Sequence, residues 1–221
     1  MISGDSFLVL SLVGGLLTVE GTSVGQFMIS RPLVAGTLTG LLLGTPAAGF
    51  GMGALLEVYL LVSFPTGGAR FPEAAPATVA AVVASAPGTA GALAVALAMA
   101  LVWGHVAGLS TTLLRIVNGR LAAPEEGRRT PSRVVAGHLT ALLLDLVRGT
   151  VLTAAAIWTS RLAVARAGPA WPIDPAPTRG LLLLGGLVSV GVLIRSFGGL
   201  RRRVRVLGAG LAVGLVMGWL L

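Results

Sequence analysis

The chain contains no cysteine and no lysine. Without cysteine there is no disulfide, no thiolate nucleophile and no Cys-based metal site. Two histidines, His105 and His138, fall in separate segments without HExxH-type spacing, so a zinc site lacks dedicated ligands. GxxxxGK[ST] does not occur, which removes the usual phosphate-loop apparatus, and the one GxSxG match, Gly21 to Gly25, lies in a polar patch after an apolar run and not after a strand, where a hydrolase nucleophile would sit. No catalytic residue, metal or cofactor is expected. Charge is also scarce: charged residues make up 11% of the chain, where soluble domains hold about a quarter. All sixteen basic residues are Arg, a bias from which no function follows.

What is present is apolar. Hydrophobic residues make up 55% of the 221 residues, and mean hydropathy is +0.92. The composition specifies an all-α polytopic membrane protein. At about 20 residues per crossing, the length allows about six to eight transmembrane or re-entrant helical segments. One membrane-embedded domain over residues 1–221 is the simplest organisation. The net charge of +8 would suggest nucleic acid in a soluble protein, but the Arg residues gather in loops between apolar runs, where topology explains them. No nucleic-acid partner is expected. The start, MISGDSFLVLSLVGGLLTV, has no basic region before its apolar run, and is expected to be a first span and not a removed signal.

Breaks divide the chain. Phe7 to Val19 is apolar but short for a crossing. Leu33 to Leu43 is stopped by Gly44-Thr45-Pro46, and Ala47 to Phe64 by Pro65 and Gly67-Gly68. The segment Ala74 to Ala86 is too short to span and reads as a re-entrant arm. Thr89 to Val117 and Val134 to Ile157 are expected spans around a polar loop at about 118–133. Ser160 to Thr178 is a Pro-rich connection. Gly180 to Ile194 and Val204 to Leu221 are expected spans around a second Arg-rich loop at about 195–205. Short Arg-rich loops favour the cytoplasm, so both loops are expected inside, with the linker Arg161 to Arg179 and the C-terminus outside.

Glu57 lies in GALLEVYLL, ringed by apolar residues. A carboxylate there costs about 2.5–3.5 kcal/mol on insertion scales and usually faces a bundle interior or a wet pathway. It serves either as a structural partner to an amide or Arg, or as a solute contact, and the second reading is favoured. Arg31, before Pro32, reads as a snorkelling interface residue or a ligand contact. Pro65 to Glu73, rich in helix breakers, offers unpaired main-chain groups to a polar solute. His138, Asp145 and Arg148 stand at i, i+7 and i+10, close to one helical face, and form a possible secondary polar site with Arg31.

The stretch from Phe27 to Ala81, with SRPLVAGTLTGLLLG, GALLE around Glu57 and GGARFPEAAPAT, resembles the mannose/fructose/sorbose-type enzyme IIC subunit of the bacterial phosphotransferase system (PTS). Arg31, Pro32, Gly53, Glu57, Gly67, Ala69, Pro72 and Glu73 fit that family's spacing without a gap. Pro65 stands where the family has Asn, and Gln26 and Met28 replace its usual acid and Gln.

The resemblance implies an all-helical membrane domain with re-entrant hairpins in the bacterial cytoplasmic (inner) membrane. It also implies a membrane partner, enzyme IID, cytoplasmic IIA and IIB phosphocarriers, and a higher oligomer. A hexose-like sugar would move inward for phosphorylation by IIB, the IIC chain carrying no phosphoryl group. Glu57, Gln26, Thr66, Gly67, Gly68 and Glu73 are the expected sugar contacts. Two alternatives remain open on the residues: an ion-coupled transporter using Glu57 and Asp145, and a non-transporting scaffold or sensor that keeps the fold.

Overall fold

Proline opens four helices of this protein, because at the first helical position its missing N–H is one that no turn would have used. The computed structural model describes residues 3–61, 70–122, 130–196, 198, 204–206, 208–210, 212, 213 and 216. Among them run α1 (Gly4–Thr22), α2 (Pro32–Leu42), α3 (Pro46–Tyr59), α4 (Ala74–Ala84), α5 (Ala90–Ala122), α6 (Pro131–Ala167) and α7 (Pro175–Ser196). Four helices, α1, α5, α6 and α7, are long and apolar enough to cross a bilayer. The protein is a multi-pass, all-helical membrane protein.

The three others are short. At about 1.5 Å per residue, the 11 residues of α2 and of α4 reach about 16 Å, half of a hydrocarbon core of about 30 Å. Half-length helices at membrane depth must be enclosed by protein, and α4 is: every residue from Ala75 to Ala84 is buried. It touches α1, α2, α3, α5 and α6. The ends of α2 and α4 meet the last turns of α6, where Leu43, Thr45, Ala84, Ala86, Pro87, Arg161 and Val164 line a hollow of about 560 Å³. Their starts lie at the middle of α6. Gly44, with φ +70°, makes the turn from α2 into α3, a conformation open to glycine without penalty.

Several expected boundaries move. The first segment is a full 19-residue helix and counts as a span. Helix α3 stops at Tyr59, not near Phe64: Tyr59 Oη donates to Leu182 O, and Ser189 Oγ donates to Tyr59 O, so docking on α7 fixes an end that no breaker residue announces. The polar loop placed at 118–133 is shorter, because α5 continues to Ala122 and α6 begins at Pro131. Nor is Ser160 to Thr178 all connection, since α6 runs on to Ala167 and yields only at Gly168-Pro169. Arg and Ala are good helix formers, and polarity alone stops no helix. In the second Arg-rich region, Arg195 belongs to α7, Gly198 is a turn, and Val204 and Arg205 are helical. Half of the expected last span lies outside the described residues.

Candidate functional site

Two charged clusters form where the half-length helices begin and end. The first joins the two arms of the α2–α3 hairpin. Arg31, the residue before α2, donates from Nε to Glu57 Oε1 at 2.8 Å, and its Nη2 donates to the same oxygen. The Leu33 amide donates to Glu57 Oε2 at 3.2 Å. A carboxylate at a helix start is favoured by the exposed amides and the helix dipole. Both side chains keep about a fifth of their surface, 21% and 22%. Glu57 therefore has the structural partners that one of its two readings required, and it remains open to solvent.

The second cluster is deeper. Glu73, which precedes α4, is buried at 4% exposure, and Asp145 on α6 at 0%. Between them Arg148, near the midpoint of α6, donates from Nη1 to Glu73 Oε2 at 2.9 Å and from Nη2 to Asp145 Oδ1 at 2.8 Å. From α5, Thr111 Oγ1 donates to Glu73 Oε2 at 2.6 Å, and Ser110 Oγ accepts from Arg148 at 2.7 Å. From the end of α1, Thr22 Oγ1 donates to Asp145 Oδ2 at 2.7 Å, as does Ser23 Oγ. The network ties α1, α4, α5 and α6 together, and charge-assisted bonds of this kind are the strong ones.

Between the clusters lies a small hollow of about 60 Å³, bordered by Thr18, Thr22, Ser30, Arg31, Phe71 and Glu73 among others. Thr18 is fully buried, yet its Oγ1 has no partner among the described residues, whereas Ser11, Thr39 and Thr153 each donate to the carbonyl four residues back. The strap from α1 to α2 crosses the rim: Glu20 accepts from the amides of Ile29 and Ser30, and Gln26 and Met28 take φ of 51° and 66°. Guanidinium, carboxylates and hydroxyls in one place offer both donors and acceptors to a polyhydroxyl solute.

The expected residues are distributed unevenly. Arg31 and Glu73 border the hollow, and Glu57 reaches it through Arg31. Asp145 and Arg148 belong to the same constellation as Glu73, not to a separate site. His138 is exposed on α6, two turns before Asp145, apart from the network. Gln26 is exposed on the strap. Thr66, Gly67 and Gly68 lie outside the described residues. Sequence reasoning missed Glu20, Thr22, Ser23, Ser110 and Thr111. Their signal was hydroxyls and a carboxylate at the edge or inside of apolar helices, where polar groups look inward.

No curated protein matches the chain. Solved structures share its fold. One, described as the structure of a membrane protein, is 20% identical with a TM-score of 0.74, the match covering all of this chain and 96% of the other. Another, the cryoEM structure of the mannose transporter ManYZ with microcin E492, is 21% identical with a TM-score of 0.56, covering 99% and 95%. The family of PTS sorbose-specific IIC components, EII-Sor, matches residues 6–192. That match takes in both charged clusters and all seven helix starts but the first, and with it the chain belongs to the sorbose-specific IIC components, sugar-transport membrane subunits of the phosphotransferase system.

Proposed function

We propose that this chain is the translocating IIC subunit of a mannose-family system, carrying a hexose-like sugar inward across the bacterial cytoplasmic membrane for phosphorylation by a partner IIB. Residues 1–221 act as one membrane domain. Enzyme IID is its membrane partner, and IIA feeds phosphate to IIB. The phosphoryl transfer belongs to those partners. One observation carries the reading: the breaks before α2 and α4 put Arg31 and Glu73 on a single hollow, where interrupted helices present charge and main-chain groups to a solute.

At about 60 Å³ the hollow has room for about two waters at roughly 30 Å³ each, too little for a sugar ring. Sugar entry then requires the α2–α3 hairpin to shift as a body against α4 and α7, on which it packs, widening the space beside Glu57 and Glu73, with Thr66, Gly67 and Gly68 as further proposed sugar contacts. Gln26 on the strap would close over the ring. Asp145 and Arg148 hold Glu73, Arg31 holds Glu57, and His138 stands apart as a secondary polar group.

The test is Glu57→Gln in cells that supply IIA, IIB and IID. Uptake of labelled hexose should be lost while membrane insertion and subunit assembly persist. Wild-type uptake would remove Glu57 from the sugar site. A second reading has one observation in its favour: two buried carboxylates share the single Arg148 guanidinium. An ion-coupled transporter would use that surplus negative charge, and its uptake would fail with an uncoupler and survive loss of the phosphate relay.

A further inference from the structure

Halfway along the apolar span Ala90–Leu121 stands His105, exposed. Its Nδ1 donates to Leu101 O at 2.7 Å, and Nε2 has no partner among the described residues. Beside it Arg70 is exposed and makes no hydrogen bond or ion pair with the described residues. The two border a cavity of about 170 Å³ with Phe71, Pro72, Gly108 and Leu109. A guanidinium and an imidazole at mid-span are costly against lipid, and such groups face protein or water.

The rest of the face decides between those two. Val102, His105, Val106, Leu109, Leu113 and Ile116 fall on one stripe of α5 at helical spacing. All the apolar members are exposed, Leu113 to 65%. A water-filled vestibule would not be lined this way. An apolar stripe with two basic groups at its centre complements a membrane helix that carries a carboxylate at mid-depth.

We infer that this α5 face, with Arg70, docks a transmembrane helix of a second, different membrane subunit, whose Asp or Glu pairs with Arg70. A second copy of this chain offers no such carboxylate among its described residues. Among the described residues, Glu20, Glu57, Glu73 and Asp145 are already engaged, and Asp5 and Asp174 stand at helix ends. None is displayed at mid-span. The docking surface follows from the geometry alone, and only the partner's place in a sugar transporter rests on the proposed function.

The surface also adjoins the candidate site. Phe71 and Pro72 border both the 170 Å³ cavity and the 60 Å³ hollow, so the partner helix would sit against one wall of the sugar route. Gly108 allows this: a Cβ there would overlap the Phe71 carbonyl oxygen.

The test places a photoreactive amino acid at Leu109, and as control at Leu184 on the outward face of α7, in the full chain expressed in its host membrane with its IID subunit. The Leu109 adduct should join this chain to that subunit, at a peptide from a span containing Asp or Glu. Arg70→Glu should reduce the adduct about tenfold by placing like charges together, and Arg70→Lys should retain it. Adducts only to lipid or to a second copy of the chain would overturn the inference, as would equal yield from a stably folded Arg70→Glu protein. Hexose uptake scored in the same cells separates the two claims. An adduct without phosphate-dependent uptake would sink the function and leave the interface standing.

Discussion

At the scale of the residue, burial decides which charge the fold depends on. Arg148 keeps 12% of its side-chain surface and holds two carboxylates that keep 5% and 0%. Removing it strands both in a dry interior, at a cost of about 3–5 kcal/mol. Arg31 and Glu57 remain a fifth exposed, and breaking that pair costs about 1 kcal/mol. Arg148→Gln should therefore lower the thermal unfolding midpoint in detergent far more than Arg31→Gln does, and equal shifts would deny the central network its structural weight. Residue identities were legible in the sequence because any charge inside an apolar run must find a partner. Of the pairings, that of Asp145 with Arg148 on one face of α6 was legible, and the longer-range ones were not. Glu73 reads as a companion of Glu57, and His138 as a companion of Arg148, since both pairs are near in sequence. The fold exchanges them, setting Glu73 on Arg148 from 75 residues away and leaving His138 outside. Helical spacing reports which residues share a face, never what that face meets.

At the scale of the element, close approach of backbones positions Arg31 against Glu57. Gly36 and Gly40 of α2 face Gly49 and Gly53 of α3, small residues four apart on each arm. A Cβ on Gly36 would come within 2.7 Å of Gly49 O, and one on Gly53 would overlap Pro32 O, main-chain atoms that cannot turn aside. Gly53→Ala should cost about 1–3 kcal/mol through overpacking and reduce sugar uptake by moving the neighbour of Arg31. Gly51 has open space around it, and Gly51→Ala should stabilise the helix by about 0.5–1 kcal/mol. Intrinsic Trp fluorescence during heating reads both, and matching losses would mean the hairpin does not depend on glycine contact. Breaker residues made these elements readable: Gly44, Thr45 and Pro46 turn the chain where expected. An end without a breaker was hidden, as at Tyr59, where a hydroxyl on α7 fixes the stop, while α5 and α6 run through polar sequence as far as Ala122 and Ala167, just short of Pro124 and Gly168-Pro169.

At the scale of the whole molecule, the direction of insertion decides which side the site opens to. The segment between α5 and α6, flanked by Arg115, Arg120 and Arg133, carries more Arg than the linker bearing Arg161, Arg166 and Arg179. The imbalance favours the former inside. Because α2 and α4 run from the middle of α6 toward its C-terminal end, that orientation places all three half-length helices in the outer half of the membrane. The charged starts of α2 and α4 then look toward the cytoplasmic half, where a phosphorylating partner would meet the sugar. The native chain has no cysteine, so single replacements can be scored against a blank background. Thr130→Cys and Ala170→Cys both fall at exposed positions outside the helices. A membrane-impermeant maleimide should label Cys at position 170 on intact cells and Cys at position 130 only after permeabilisation. The reverse pattern would turn the half-length helices to the cytoplasmic side and direct the openings of Arg31 and Glu73 outward. The hollow would then be the entry chamber, and the sugar would have to pass the hairpin before phosphorylation instead of after leaving it.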